Sequence, residues 1–230
     1  MYEILDANFF TIVIIIGSIM VTPFYVLAVY VFSGASPVKG AVIATGFLIF
    51  GSIMFWVCIS STVSKLGLAG EPIVPLAWIV PSLILYLKRD WFLSEKLSQH
   101  WLVGLQLFRV IGGVFLIEML MGNIPGIFAF PAGLGDILVG IIALIVLLLY
   151  KKSGYIPKTA IMIVIILGVA DFLSAFFFGF TSSESPVQIF YPEIKNNVIL
   201  FPTGMIPLFL VPYAIFFHTL SYLNLKKFGV

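Results

Sequence analysis

Long apolar runs separated by short polar segments extend through the whole chain. Seven runs can be drawn, at residues 8 to 32, 40 to 62, 70 to 87, 101 to 121, 127 to 150, 158 to 180 and 199 to 223. A run of about 20 apolar residues is long enough to cross a bilayer as a helix. The runs do not alternate apolar with polar residues, as the strands of a membrane barrel do. The pattern predicts an all-α polytopic integral membrane protein, a single seven-transmembrane-helix bundle over residues 1–230.

Composition agrees with this prediction and narrows the partners. The chain has 230 residues, 61% hydrophobic and 10% charged, with a mean hydropathy of +1.18, whereas soluble domains carry roughly 25% charged residues. A net charge of +2, with the basic residues at helix ends, does not favour nucleic acid. The predicted partner is the lipid bilayer, and the short loops favour a multi-pass protein of a prokaryotic inner or plasma membrane. The sequence leaves open whether the chain forms an oligomer.

Lysine and arginine residues collect in alternate loops. One side has nine of them: Lys39, Lys88, Arg89, Lys96, Lys151, Lys152, Lys158, Lys226 and Lys227. The other side has Lys65 and Lys195, together with the acids Glu3, Asp6, Glu71, Glu184 and Glu193. Because positive residues accumulate in cytoplasmic loops, the N-terminus is predicted outside and the C-terminus in the cytoplasm. Residues 1 to 6 lack the basic start of a signal peptide, so the first run is expected to be a retained helix.

Two neighbouring spans carry similar segments with an aspartate in the middle. The first reads Gly-Leu-Gly-Asp-Ile-Leu-Val-Gly around Asp136, and the second reads Gly-Val-Ala-Asp-Phe-Leu-Ser-Ala around Asp171. A charge at the centre of a bilayer costs about 2.5–3.5 kcal/mol on the insertion scale, so such residues usually face the bundle interior and have partners. Both aspartates are therefore predicted to face other helices.

The depths of these groups follow from helix geometry. In two regular helices joined by a turn at residues 150 to 157, Asp136 and Asp171 lie equally far from the turn, at about 21 Å. Reflection of Asp136 through the turn near residue 124 gives position 112. Arg109 lies about 4.5 Å from that level, a gap that its side chain covers. Arg109 is therefore the predicted counter-ion of one or both carboxylates.

Small and polar residues share the faces of the three charged groups, since successive helix positions rotate by about 100°. Gly133 and Gly140 fall with Asp136, Gly168, Ser174 and Ala175 with Asp171, and Gln106, Gly112 and Gly113 with Arg109. Small residues let helices approach closely, so these faces are predicted to pack inside the bundle. The predicted substrate- or ion-binding residues are Asp136, Asp171, Arg109, Gln106 and Ser174.

Two further titratable residues are expected at a rim or a gate. Glu118 is nine residues from Arg109, which places it on the opposite helix face and nearer the outside. His218 lies about 11 residues inward of the aspartates, so it is expected to be a hydrogen-bonded interfacial residue or an inner gate, without direct contact to the cluster.

The cluster of two carboxylates and one guanidinium has a formal charge of −1. Because nearby carboxylates repel each other, one is expected to hold a proton unless a cation balances the charge. No catalytic residue, metal site or cofactor is predicted, since the two histidines and the lone Cys58 do not share a depth and nucleotide-binding or nucleophile motifs do not occur. The same cluster would also serve as an ion network that only fixes helix register.

Prolines concentrate in the third and seventh predicted spans. They are Pro72, Pro75, Pro81, Pro202, Pro207 and Pro212. Each proline within a helix frees a carbonyl, so these spans are predicted to be bent or broken near a binding cavity. Spans one to three and spans five to seven form two triplets, and each triplet begins outside and ends in a proline-rich helix. This topology is similar to the three-plus-one-plus-three design of the eukaryotic sugar-transporter SWEET family. No SWEET motif is matched, and the resemblance implies a transporter through topology alone.

These observations favour a small transporter or permease-like protein for a proton, a cation or a small polar solute. Two alternatives stay open. One is a seven-helix sensor or receptor-like module, in which a ligand or a pH change reorders the same polar network. The other is an intramembrane enzyme that acts on a lipid or other apolar substrate, with an aspartate as general base and Arg109 holding an anionic head group.

Overall fold

A computed structural model describes residues 6–229. Its main helices are α1 (Phe9–Phe32), α2 (Pro37–Ile59), α3 (Ile73–Leu87), α4 (Gln99–Leu120), α5 (Gly126–Ser153), α6 (Lys158–Ser182) and α7 (Ile206–Phe228). Within residues 6–229, seven helices are long and apolar enough to cross a membrane, the third of them counted from Gly67 to Leu87. The all-α, seven-helix membrane fold is therefore confirmed. Glu3, which contributed to the predicted orientation, lies outside the described residues.

The bundle has two chemically different ends, and its orientation in a membrane stays a prediction. The lysine-rich end carries the α1–α2, α3–α4 and α5–α6 connections and the end of α7. The lysine-poor end carries the α2–α3, α4–α5 and α6–α7 connections. These two names are used below in place of inside and outside.

Local sequence explains several helix ends. Asn8 precedes α1, and its side-chain oxygen accepts a hydrogen bond from the Phe10 amide at 2.9 Å. Pro37 occupies the first turn of α2, where a missing N–H costs nothing. At the end of α5, Gly154 adopts φ +71° and donates its amide to the Tyr150 carbonyl at 2.7 Å, a conformation that glycine accepts without strain.

The α4 helix departs from α geometry around its arginine. Residues Leu105–Gly113 form a 3₁₀ helix, in which residues three apart lie on the same face. Gln106, Arg109 and Gly112 therefore align on one buried face of α4. The glycines of α5 let the two helices approach closely: a Cβ on Gly140 would lie 2.7 Å from Val110 Cγ1, and one on Gly133 would lie 3.0 Å from Leu116 Cγ.

The α7 helix is the most buried span and begins later than the apolar pattern suggests. Its helical residues start at Ile206, while residues 200–204 form tight turns, with the Gly204 amide donating to the Leu200 carbonyl at 2.8 Å. Gly204 permits this turn because a Cβ would overlap the Ile199 carbonyl. The aromatic rings of Phe209, Tyr213 and Phe217 then pack around Phe47 of α2.

A π-helical turn links the two proline-rich spans. At Ile206–Leu210 the amide of Val211 donates to the Ile206 carbonyl, five residues back. In this spacing the Pro207 carbonyl would need the nitrogen of residue 212, which is a proline and has no hydrogen. The indole Nε1 of Trp78 in α3 donates to the Pro207 carbonyl instead, at 2.7 Å. The free carbonyl predicted from the prolines thus joins α3 to α7.

Candidate functional site

Arg109 of α4 joins α5 and α6 through its guanidinium group. Nε donates to Asp136 Oδ1 at 2.7 Å, and a terminal nitrogen donates to Asp171 Oδ2. The other terminal nitrogen donates to the Gly168 carbonyl at 3.3 Å. The centre of the guanidinium lies 3.9 Å from the centroid of the Phe172 ring. The structure therefore brings the three predicted charged residues together in one ion cluster.

Glycines make room for the charged side chains. A Cβ on Gly112 of α4 would overlap the Asp136 side chain, and a Cβ on Gly135 of α5 would overlap the Asp171 carboxylate. On α6, a Cβ on Gly168 would overlap His218 Nε2. The small residues therefore do more than let the helices approach: each of these three leaves the space that a buried polar side chain occupies.

The electrostatics of the cluster are unbalanced. One guanidinium faces two carboxylates, so its formal charge is −1 when both aspartates are ionised. Arg109 is 2% exposed, Asp136 is 8% exposed and Asp171 is 9% exposed. Buried ion pairs of this kind are stable only when the partners are well hydrogen-bonded. Asp171 Oδ1 is buried without a hydrogen-bond partner among residues 6–229. This oxygen could therefore accept a further hydrogen bond.

A cavity of about 440 Å³ reaches the two carboxylates from the lysine-poor end. Its mouth includes Glu71, Glu184 and Lys195, and its deep end includes Asp136 and Asp171. Glu184 and Lys195 form an exposed salt bridge of 2.9 Å. Arg109 does not line this cavity, but it lines a second, water-sized pocket of about 10 Å³ that shares Asp136 and Phe172 with the large one. The deep end of the cavity therefore presents carboxylates and not the guanidinium.

The walls of the cavity are mainly aromatic. They are formed by Trp78 of α3, Phe115 of α4, Phe128 of α5, and Phe172, Phe176 and Phe180 of α6. The apolar pattern did not single out these residues, because aromatic side chains that face lipid and those that face a cavity read alike in a span. The four-residue spacing of Phe172, Phe176 and Phe180, which puts them on one helix face and begins directly after Asp171 in the sequence, could have indicated this wall.

Two residues predicted for binding lie outside the ion cluster. Gln106 is buried, and its Oε1 has no hydrogen-bond partner within the described chain. It lies one 3₁₀ turn from Arg109 toward the lysine-rich end. Ser174 is half-buried and does not line the cavity. Their assignment to a binding site stays a prediction.

Glu118 lies in a separate polar cluster toward the lysine-poor end. It is fully buried and accepts hydrogen bonds from Thr11 Oγ1 at 2.5 Å, from the Asn8 amide at 3.1 Å and from Asn123 Nδ2 at 2.7 Å. These contacts tie the start of α1 to the end of α4. Glu118 thus makes contacts within the protein. Its expected place at the rim of a binding site stays a prediction.

His218 lies much nearer to the cluster than the sequence estimate placed it. It is 2% exposed, and its ring centroid is 6.0 Å from that of Phe172, the residue that stacks on Arg109. Its Nε2 has no hydrogen-bond partner among residues 6–229. The estimate assumed a symmetrical connection between α6 and α7, whereas the buried turns before Ile206 delay the start of α7. Its expected hydrogen bond at an interface is therefore not seen, and its function as a gate is untested.

In the described part of the chain, no group of three or more His, Cys, Asp or Glu side chains is arranged to hold a metal ion. No curated protein and no solved structure matches the chain, and the topological similarity to SWEET transporters stays a prediction. The family described as "Domain of unknown function (DUF8737)" matches residues 72–226, a range that holds Arg109, Asp136, Asp171 and His218. The chain belongs to this family.

Proposed function

We propose that this membrane protein is a small transporter or permease-like protein that binds a cation or a proton at Asp136 and Asp171. The observation that carries the proposal is the cavity, which runs from the lysine-poor end to Asp136 and Asp171 and is not lined by Arg109. Ionisable residues inside a span mark ion and proton pathways more often than other buried positions do. A cation at the deep end would balance the charge that Arg109 leaves uncompensated.

Beyond the carboxylates the interior is closely packed, apart from the water-sized pocket beside Arg109. Arg109, Phe172 and His218 are buried there and pack against one another. A transporter that alternates access would have to move these groups to release its solute toward the lysine-rich end. The π-helical turn of α7 and the proline inside α3 are irregularities of the kind that accompanies such movement in transporters with discontinuous helices.

The lysine distribution supports an orientation for this proposal. If the lysine-rich end faces the cytoplasm, the cavity faces the outside in this conformation. Single cysteines placed in the α2–α3 and α5–α6 connections of a Cys58→Ser background, labelled with an impermeant maleimide on whole cells, test the orientation. Labelling in the α2–α3 connection alone supports it.

Reconstituted vesicles test the function. Currents on a solid-supported membrane, evoked by a pH jump or by ammonium, methylammonium or choline, are expected from the wild type for at least one of these cations. Asp136→Asn and Asp171→Asn should abolish them. Asp90→Asn is the matched control, because that aspartate is exposed at the lysine-rich end and pairs with Lys227 at 2.7 Å.

The result that would contradict transport is equally concrete. If the folded wild type gives no current, transport of these cations is contradicted. If Asp136→Asn and Asp171→Asn carry wild-type currents but unfold at lower temperature, the cluster only fixes helix register. Thermal unfolding of every variant in detergent accompanies the currents, so that a loss of current is read only from folded protein.

A further inference from the structure

We infer that the cavity accepts an organic cation with an aromatic or bulky apolar body, whose charged group approaches Asp136 and Asp171. This inference rests on the proposed function and names the class of solute. It draws on the size of the cavity, the aromatic walls and the placement of charge along the cavity.

The size of the cavity exceeds what a proton or a metal ion needs. Its volume of about 440 Å³ lies within the range of roughly 300–1,000 Å³ that is typical of small-molecule sites. A dehydrated calcium or magnesium ion takes about six oxygen ligands, whereas the deep end offers two carboxylates that are already bonded to Arg109. The rest of the cavity is open for an organic body.

The walls offer aromatic rings to such a body. Trp78 packs edge-on against Phe172 and Phe176, with ring centroids separated by 6.2 Å and 5.4 Å. On another wall, the Phe115 and Phe128 centroids are 5.2 Å apart. Aromatic rings stack on other rings and attract cations through the negative potential of their faces. A weakly hydrated organic ammonium loses less hydration energy in such a site than a small inorganic ion does.

The charged residues that line the cavity favour one sign of ligand. Four carboxylates line it in the described chain, Glu71, Asp136, Asp171 and Glu184, against the single ammonium of Lys195. Lys195 is paired with Glu184 at the exposed mouth, so its charge is compensated before the cavity narrows. A cavity with low-dielectric walls and one sign of charge attracts the opposite charge and repels its own. Anionic solutes are therefore excluded from the deep end.

The ligand is tested with three small probes that separate charge from body. Benzyltrimethylammonium has both features, tetramethylammonium has the charge alone, and phenylmethanesulfonate has the aromatic body with the opposite charge. Calorimetric titration of each into the purified full-length chain in nanodiscs should show binding of benzyltrimethylammonium, binding of tetramethylammonium that is weaker by about tenfold or more, and no binding of phenylmethanesulfonate.

Two pairs of variants locate the binding. Asp171→Asn should weaken benzyltrimethylammonium binding by about tenfold or more, and the exposed Asp90→Asn should leave it unchanged. Phe176→Leu, which alters the wall, should weaken binding, while Phe177→Leu should not, because Phe177 does not line the cavity and is 48% exposed. The Phe176 pair keeps the test decisive if the aspartate variant fails to fold.

The outcomes distinguish this inference from the proposed function. Equal binding of the cation and the sulfonate, or benzyltrimethylammonium binding that Asp171→Asn and Phe176→Leu both leave intact, overturns the organic-cation ligand. Aspartate-dependent proton or ammonium currents would survive that result, and the proposed transport with them. Conversely, selective benzyltrimethylammonium binding without any current supports the ligand and removes transport.

Discussion

Gly135 and Asp171 lie so close together that residue 135 has no room for a side chain. A Cβ at this position would overlap Asp171 Oδ1, although the two residues belong to different helices. The carboxylate therefore reaches Arg109 only because α5 presents a glycine where α6 presents its aspartate. The position of the ion cluster depends on this absent methyl group as much as on the charges.

Gly135→Ala should therefore displace the Asp171 carboxylate from Arg109. We expect a loss of about 1–3 kcal/mol in unfolding free energy, since extra atoms in a packed interior cost that much. Loss of the transport current should accompany it. The control is Gly17→Ala in α1, where nothing lies within 4 Å of the new Cβ and the change favours the helix. Thermal unfolding in detergent measures both, and equal unfolding temperatures would contradict the close approach.

Removal of the guanidinium alone should destabilise the protein more than removal of all three charged groups of the cluster. Arg109→Met leaves two buried carboxylates without a counter-ion, and breaking a buried ion pair in this way costs about 3–5 kcal/mol. The triple variant Arg109→Met/Asp136→Asn/Asp171→Asn has no buried charge left and should unfold at a higher temperature than Arg109→Met. Arg89→Met, at an exposed position, is the control. If the triple variant is less stable than the single one, the carboxylates have another cationic partner.

His218→Leu is expected to keep or raise the unfolding temperature. The buried Nε2 has no hydrogen-bond partner in the described residues, and an unsatisfied buried polar atom costs about 1–3 kcal/mol. His100→Leu should instead lower the unfolding temperature, because His100 shares a 2.5 Å hydrogen bond with Ser98 and stacks on Tyr150. Transport currents that fall in a stable His218→Leu protein would assign this histidine to the transport path. A large loss of stability would contradict the missing hydrogen bond.

Trp78→Phe should loosen the link between α3 and α7. The ring face is kept, but the Pro207 carbonyl loses its donor and stays unsatisfied, at a cost of about 1–3 kcal/mol. Trp56→Phe is the control, since Trp56 is 65% exposed. Hydrogen exchange of the amides of α7 measures the effect, with faster exchange expected near Ile206–Leu210 for Trp78→Phe alone. Unchanged exchange would mean that other contacts hold the π-helical turn.

The levels of the charged residues could be predicted from the sequence because α5 and α6 are α-helical throughout and the turns beside them are short, although Arg109 itself lies in the 3₁₀ segment of α4. Reflection of Asp136 through the α4–α5 turn gave position 112, and the structure places Gly112 against the Asp136 side chain. Arg109 then covers the remaining distance with its long side chain. The two short turns and the rise per residue of a helix were therefore sufficient to predict that the three charged residues lie at similar depths.

The surroundings of the cluster could not be predicted in the same way. The position of His218 depends on how residues 183–205 fold between α6 and α7, and no helical repeat describes their turns. The cavity depends on which faces of α3 and α6 turn away from lipid. Phe172 and Phe176 would satisfy a lipid-facing surface as well as a cavity wall, so hydrophobicity carries no information about that choice.

The 3₁₀ segment of α4 also has a consequence for the fit of this helix to a membrane. A 3₁₀ helix rises by about 2.0 Å per residue, against 1.5 Å in an α-helix. With nine of its 22 residues in this form, α4 is about 37 Å long, the same as the 25-residue α6 beside it. If the segment relaxed to α geometry, α4 would be about 4.5 Å shorter than its neighbour. The arginine thus lies in the part of the helix whose winding sets the membrane thickness that α4 spans.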